Sequence, residues 1–149
     1  MCCWRPISTS DRAEYLAMSE AFYSTDAVMH PVPLSHMEAT FDELMRSDTY
    51  AVGFICEVQG AAAGYALLAK TFSQEAGGLV YWVEELYIKP PYQQNGCGKA
   101  FFDMLLSSLP DDVKRVRLEV ERDNEKAVHL YERYGFSFLE YDQMILERQ

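Results

Sequence analysis

Positive charge is what this chain has least of. Lys and Arg number 13 against 23 Asp and Glu in 149 residues, a net charge of −10. Nucleic-acid binding needs a basic face, so no nucleic-acid partner is expected. No apolar run approaches the ~20 residues that cross a bilayer, and Met1-Cys2-Cys3-Trp4-Arg5-Pro6 lacks the basic-then-apolar build of a secretion signal. A cytoplasmic protein with no membrane partner is the expectation. Cysteine is sparse too: Cys2, Cys3, Cys56 and Cys97 contain no C-x-x-C pair and have no histidine cluster nearby. Neither a disulfide scaffold nor a metal site is expected, and the thiols should be reduced. Internal repeats and low-complexity segments are also missing.

What is present suffices for a packed core. The chain is 49% hydrophobic and 13% aromatic, at the length of one ordinary domain, so residues 1–149 read as a single domain. The acid surplus is uneven. In residues 1–50, Arg5, Arg12 and Arg46 face Asp11, Glu14, Glu20, Asp26, Glu38, Asp42, Glu43 and Asp48. Such a field would steer a cation, or is only a solvated acidic surface.

Cys3 to Ile7 reads as a first strand. Ser8 with Asp11 resembles a capping box opening a helix through Tyr23, and Pro31 and Pro33 make Ser24 to Leu34 a loop. Ser35 with Glu38 predicts a second capping box and a helix through about Arg46. His30 and His36 either touch substrate or are solvated surface groups. Tyr50 to Val58 and Gly64 to Thr71 alternate as a hairpin turning at Gln59-Gly60, and a central strand spans Leu79 to Ile88. After the next helix, Arg115 to Val120 reads as a strand, a helix follows Asn124, and Phe136 to Tyr141 and Gln143 to Leu146 read as two closing strands.

The most informative stretch is Val83 to Lys99, VEELYIKPPYQQNGCGK. Pro90-Pro91 ends the strand by removing two backbone donors. Gly96 and Gly98 allow a close backbone approach, and KAFFDMLLSSL repeats its apolar residues at helical spacing. Free amides at a helix N-terminus, with the positive end of the dipole behind them, suit a phosphate. A Walker loop would need Gly in place of Gln93 and Ser or Thr in place of Ala100; a dinucleotide fingerprint would need Gly in place of Phe101. An ordinary strand-to-helix turn is the plainer alternative. Cys97 lies inside the loop where only its backbone is needed; its side chain reads as packing, though its position exposes it to alkylation.

Gln93-x-x-Gly96-x-Gly98 resembles the acetyl-CoA pyrophosphate loop of the GCN5-related N-acetyltransferase (GNAT) superfamily. Asn124 to Phe136, with Asn and Ala near a helix start, Tyr one turn later and then Gly-Phe, is similar to a second motif of that superfamily. Specific motifs lie between about residues 83 and 136. The resemblance implies an α/β fold: a mixed, mostly antiparallel sheet of about seven strands with flanking helices, splayed between the fourth and fifth strands. It implies an N-acetyltransferase moving an acetyl group from acetyl-CoA to a primary amine, small-molecule or peptide and cationic, in a ternary complex with no metal; a homodimer is the assembly expected. A catalytically weak acyl-CoA-binding sensor of the same fold is the alternative. Residues implied to bind acetyl-CoA are Leu86, Tyr87, Ile88, Gln93, Gln94, Asn95, Gly96, Cys97, Gly98, Lys99, Asn124 and Tyr131.

The chemistry follows from elementary acid–base behaviour. Amides of Leu86 and Ile88 face one strand edge and could polarise a thioester carbonyl. An alkylammonium of pKa about 10.4 must lose a proton before it attacks, and Glu84 or Glu85 could take it. Side chains alternate along a strand, so only one faces the cleft. The resemblance favours Glu84, while a β-bulge would exchange the two, and both have a solvated strand end as the plainer reading. By the resemblance, Tyr131 protonates the departing thiolate; otherwise it is core packing.

Overall fold

The computed structural model describes residues 1–25 and 30–148, and residues 26–29 of the expected Ser24–Leu34 loop lie outside them. Two compact units emerge, Met1–Leu118 and Glu119–Gln149.

The first unit is a five-stranded sheet in the order β1 to β5, with helices on both faces. β1 (Cys2–Pro6), β2 (Ala51–Val58), β3 (Ala61–Ser73) and β4 (Gly78–Ile88) pair antiparallel in succession; β5 (Val113–Leu118) joins β4 in parallel. β2 and β3 meet at Gln59-Gly60, both at positive φ (52° and 80°), which matches the twist of a two-residue hairpin. α1 (Arg12–Phe22) and α2 (Leu34–Arg46) cover one face, and α3 (Cys97–Ser107) covers the other.

The expected Ser8–Asp11 box forms, but on a 3₁₀ turn, Thr9–Asp11, that leads into α1 at Arg12. The Asp11 carboxylate accepts the Ser8 N–H at 2.7 Å and the Ser8 hydroxyl at 3.1 Å, and Arg5 donates to both its oxygens at 2.8 Å. α2 differs: the helix begins at Leu34, with extended Pro33 before it and no side-chain cap. Ser35 therefore sits inside the first turn, and the expected Ser35–Glu38 capping box does not form. Proline can stand at a helix entrance because no amide is needed there.

On the α1/α2 face, Tyr15, Met18, Phe41, Ile55 and Tyr65 form a buried cluster, with Phe22 and Tyr87 packed against it. On the α3 face, Phe101 is fully buried, 5.0 Å from the Trp4 ring and 6.1 Å from Phe54. Two β-bulges change the alternation of side chains. Cys56 opposes Gly64 while Glu57 opposes Ala62, making Ala63 an extra residue in β3. Leu67 opposes Glu85 while Leu68 opposes Val83, making Glu84 the extra residue in β4.

In the second unit, α4 (Glu125–Arg133) is capped by Asn124, whose side chain accepts the Ala127 N–H at 3.3 Å. Gly135 leaves the helix at φ 96°, and the Phe136 N–H returns to the Tyr131 carbonyl at 3.1 Å. The Arg122 guanidinium lies 3.9 Å from the Phe138 ring centroid.

The expectation of about seven strands is corrected to five among the described residues. Phe136 to Tyr141 and Gln143 to Leu146 join no ladder. Apolar alternation marks a sequence able to be a strand, but a strand exists only where an edge pairs with it. The unit holding these residues contains one helix and, among the described residues, no strand, so Met144, Ile145 and Leu146 stay exposed. No helix among the described residues is long and apolar enough to cross a membrane.

Candidate functional site

β4 leaves β5 midway along its length. Pairing runs from Leu79 with Val113 to Val83 with Leu118, where β5 ends, so Glu84 to Ile88 have β3 on one side and no β5 partner on the other. The Lys89 N–H donates to Ala63 O in β3 at 2.8 Å. Strand amides alternate in direction, so the Ile88 and Leu86 N–H groups point away from β3, toward the edge that β5 has left. A carbonyl oxygen brought to that edge meets donors from a fixed strand.

The loop follows directly. Pro90–Tyr92 form one 3₁₀ turn, Gln94 stands at φ 66°, and Gly96 at φ 79° is the residue before α3. Gln93 turns back, its Nε2 donating to Ile88 O at 2.9 Å and tying the loop to β4. Ala100 N–H is the first helix amide returned, to Gly96 O at 2.9 Å. The earlier amides of the turn, at Cys97 and Gly98, stand where a helix N-terminus meets an anion. Gln93, Gln94, Asn95 and Gly96 are exposed, and Lys99 pairs with Asp103 at 3.0 Å.

Gly98 is informative because nothing in the protein requires it. Its φ is not in the left-handed region, and a Cβ there would meet only Leu86 Cδ2 at 3.9 Å, an ordinary contact. The space beside it fits a ligand drawn close to the backbone.

Glu84 and Glu85 are separated by the bulge. Glu84 is the exposed extra residue. Glu85, like Tyr87, faces the α1/α2 side, where the Tyr65 hydroxyl donates to its Oε1 at 2.6 Å and the Tyr23 hydroxyl donates to its Oε2. Burial, and then the hydrogen bond and charge of Glu85, raise the Tyr23 phenol above its ordinary value; Tyr65 is raised for the same reasons, burial first, and Tyr15 is pushed up to about 12, chiefly by burial. These phenols stay protonated near neutrality and remain donors. Phe22 and Tyr87 complete an aromatic surround, their ring centroids 6.2 Å apart.

Tyr23 and Tyr65 belong to no motif in the sequence, where one ends a helix and the other lies within a hairpin strand. One signal existed: an inward tyrosine carries a hydroxyl that needs an acceptor, and an acid lies on the neighbouring strand. His36, on α2, and His30 are exposed. Asn124 caps α4, and Tyr131 on that helix packs against Phe136 with centroids 5.9 Å apart. Burial raises the Tyr131 phenol.

The thiols need correction. Cys2 and Cys97 are disulfide-bonded, and the Sγ atoms of Cys2, Cys56 and Cys97 all lie within 4.8 Å of one another. Sequence spacing hides this, because β1, β2 and the start of α3 bring together residues far apart in the chain. Cys3 points out to solvent.

The model of a family described as "Acetyltransferase (GNAT) family" matches residues 15–136. The spermine/spermidine N(1)-acetyltransferase of Bacillus subtilis (strain 168) is 32% identical over 78 residues, 51% of each chain. The chain thus spans about half the length of the curated relatives it matches. Among solved structures, a possible acetyltransferase from Clostridium difficile 630 superposes with a TM-score of 0.83 at 14% identity, covering 100% of this chain and 99% of its own. AAC(6')-Iy, in complex with the bisubstrate analogue CoA-S-monomethyl-acetylneamine, superposes with a TM-score of 0.79 at 14% identity, covering 100% and 99%.

Proposed function

The chain belongs to the GNAT family of acetyltransferases, and on that premise we propose that it transfers the acetyl group of acetyl-CoA directly to a cationic primary amine. The observation that carries this reading is the open edge of β4: the Leu86 and Ile88 amides, running straight into the Gln93–Gly98 loop and the start of α3.

The pyrophosphate rests on the amides at the start of α3, beside Gly98, and the pantetheine arm extends along the open edge. The amine nitrogen attacks the thioester carbonyl, and the Leu86 N–H holds the oxygen that gains charge. The carbon–sulfur bond then breaks. Tyr131 gives its proton to the leaving thiolate; its motif in α4 and its raised phenol support that role. The amine's proton goes to Glu85, directly or through water. Two phenols that orient the Glu85 carboxylate, and its position on the aromatic face, support Glu85 over Glu84.

An acceptor of positive charge fits the aromatic surround and the net charge of −10. Coenzyme A is itself an anion, so that surplus serves the amine and not the thioester. The spermine/spermidine N(1)-acetyltransferase and the complex with an acetylneamine analogue both name amines. The test is acetyl-CoA-dependent release of free thiol across polyamines, aminoglycosides and lysine peptides, with mass spectrometry of the products. Acetylation of at least one cationic amine supports the reading; acetyl-CoA binding without turnover on any of them would overturn it.

A further inference from the structure

The three convergent sulfurs have no part in that chemistry, yet they stand beside the loop. Cys97 is the first residue of α3, flanked by Gly96 at φ 79° and by Gly98. Cys2 is the first residue of β1. The bond between them joins positions 95 residues apart, with a Cα–Cα distance of 5.3 Å, within the span that disulfides occupy in proteins. Both sulfurs lie against loop carbonyls, Cys2 Sγ 3.8 Å from Asn95 O and Cys97 Sγ 4.0 Å from Tyr92 O. Trp4, two residues along β1, donates from Nε1 to Cys97 O at 2.9 Å. β1 thus grips the one residue between the two glycines, through a side chain and through a carbonyl.

We propose that Cys2–Cys97 is a reversible disulfide through which the thiol–disulfide balance around the protein sets the affinity of the loop for acyl-CoA, an inference that rests on the phosphate-loop reading above. With the bond closed, Cys97 is fixed before the ligand arrives, so the amides at the start of α3 are ordered in advance. With the bond open, the two glycines return conformational freedom to the loop, and binding must pay to remove it.

The chemistry balances with a low-molecular-weight disulfide, RSSR, as the oxidant. Cys2 is the more exposed of the pair, and its thiolate attacks one sulfur of RSSR and expels RS⁻. The Cys97 thiolate then attacks Cys2 Sγ; the bond from Cys2 Sγ to R–S breaks and a second RS⁻ leaves. The two cysteines lose two electrons and two protons, and RSSR becomes two thiols. An excess of small thiol runs the steps backwards, with Cys97 the leaving group. Cys56 stays out of the exchange: it is fully buried, and burial pushes its thiol up to about 11, so little thiolate forms near neutrality.

The experiment is titration calorimetry of acetyl-CoA into full-length protein held in hydroxyethyl disulfide or in dithiothreitol, with thiols counted in denaturant. Of the four cysteines, four should count as free after reduction; after oxidation Cys2 and Cys97 are lost to their own bond, which adds no mass, and exposed Cys3 is lost wherever the small disulfide caps it, leaving Cys56 with or without Cys3. The oxidised protein should bind roughly 3–10-fold more tightly than the reduced. Cys2→Ala should bind like reduced wild type under both conditions, whereas Cys56→Ala should keep the full difference. Equal affinities despite the change in thiol count would overturn the inference and leave the loop reading standing. Four free thiols after oxidation, or a response lost in Cys56→Ala, would also overturn it. Absence of acetyl-CoA binding in either state would remove the loop reading, and the inference with it.

Discussion

The Tyr65 hydroxyl donates to Glu85 Oε1 at 2.6 Å, from a side chain that is fully buried. The bond fixes the carboxylate from beneath, and Tyr23 holds its other oxygen. Removing the hydroxyl takes a charge-assisted hydrogen bond from a half-buried carboxylate. Tyr65→Phe should therefore lower stability by about 1–3 kcal/mol in denaturant titrations and reduce kcat more than KM rises. Unchanged stability and kcat would mean that the contact does not orient Glu85.

Glu84 and Glu85 should separate kinetically because the bulge gives them different surroundings. Glu85→Gln should depress the rate most near neutral pH and recover part of it in alkali, where free amine is plentiful without a base. Glu84→Gln should be mild. Rates measured against pH for both variants decide the point; the reverse ranking would return the base to Glu84, as the motif resemblance alone favours.

Tyr131→Phe keeps the ring against Phe136 and deletes a proton donor. Since general acid catalysis contributes about 10²–10⁴-fold, kcat should fall within that range while acetyl-CoA affinity stays nearly constant. A wild-type kcat would leave Tyr131 as packing only.

Acid stability should report on Asp11. Its hydrogen bonds and ion pair with Arg5 lower its pKa from 3.8 to about 2. A carboxylate whose folded pKa lies below its unfolded value stabilises the fold fully above the unfolded value, and that contribution fades as pH falls through the folded one. The window here runs from about pH 4 to about pH 2, and the contribution is about 1–2 kcal/mol. Asp11→Asn should lose it at neutral pH and flatten the dependence in the window. Urea unfolding near pH 7 and near pH 3 measures both.

Much of this was legible in the sequence, for reasons that are local. Pro90-Pro91, Gly96 and Gly98 mark the strand end, the loop and the helix start through backbone chemistry that depends on no distant partner. The Gln59-Gly60 turn and the Ser8–Asp11 contact are local in the same sense. Long-range pairing was not legible. Whether Phe136 to Leu146 are strands depends on an edge elsewhere, the choice between Glu84 and Glu85 depends on a one-residue slip against β3, and Cys2 meets Cys97 only because β1 lies beside the start of α3. Periodicity carries none of that information.

The most direct test of the loop as an acetyl-CoA site is calorimetric binding to wild type and Gly98→Val. A Cβ at this position meets nothing in the protein closer than Leu86 Cδ2 at 3.9 Å, so the variant should fold with an unchanged melting temperature. The branched side chain would fill the space where a pyrophosphate meets the amides, and affinity should fall by roughly tenfold or more. Equal dissociation constants for the two proteins, with the fold intact, would contradict the phosphate-loop assignment.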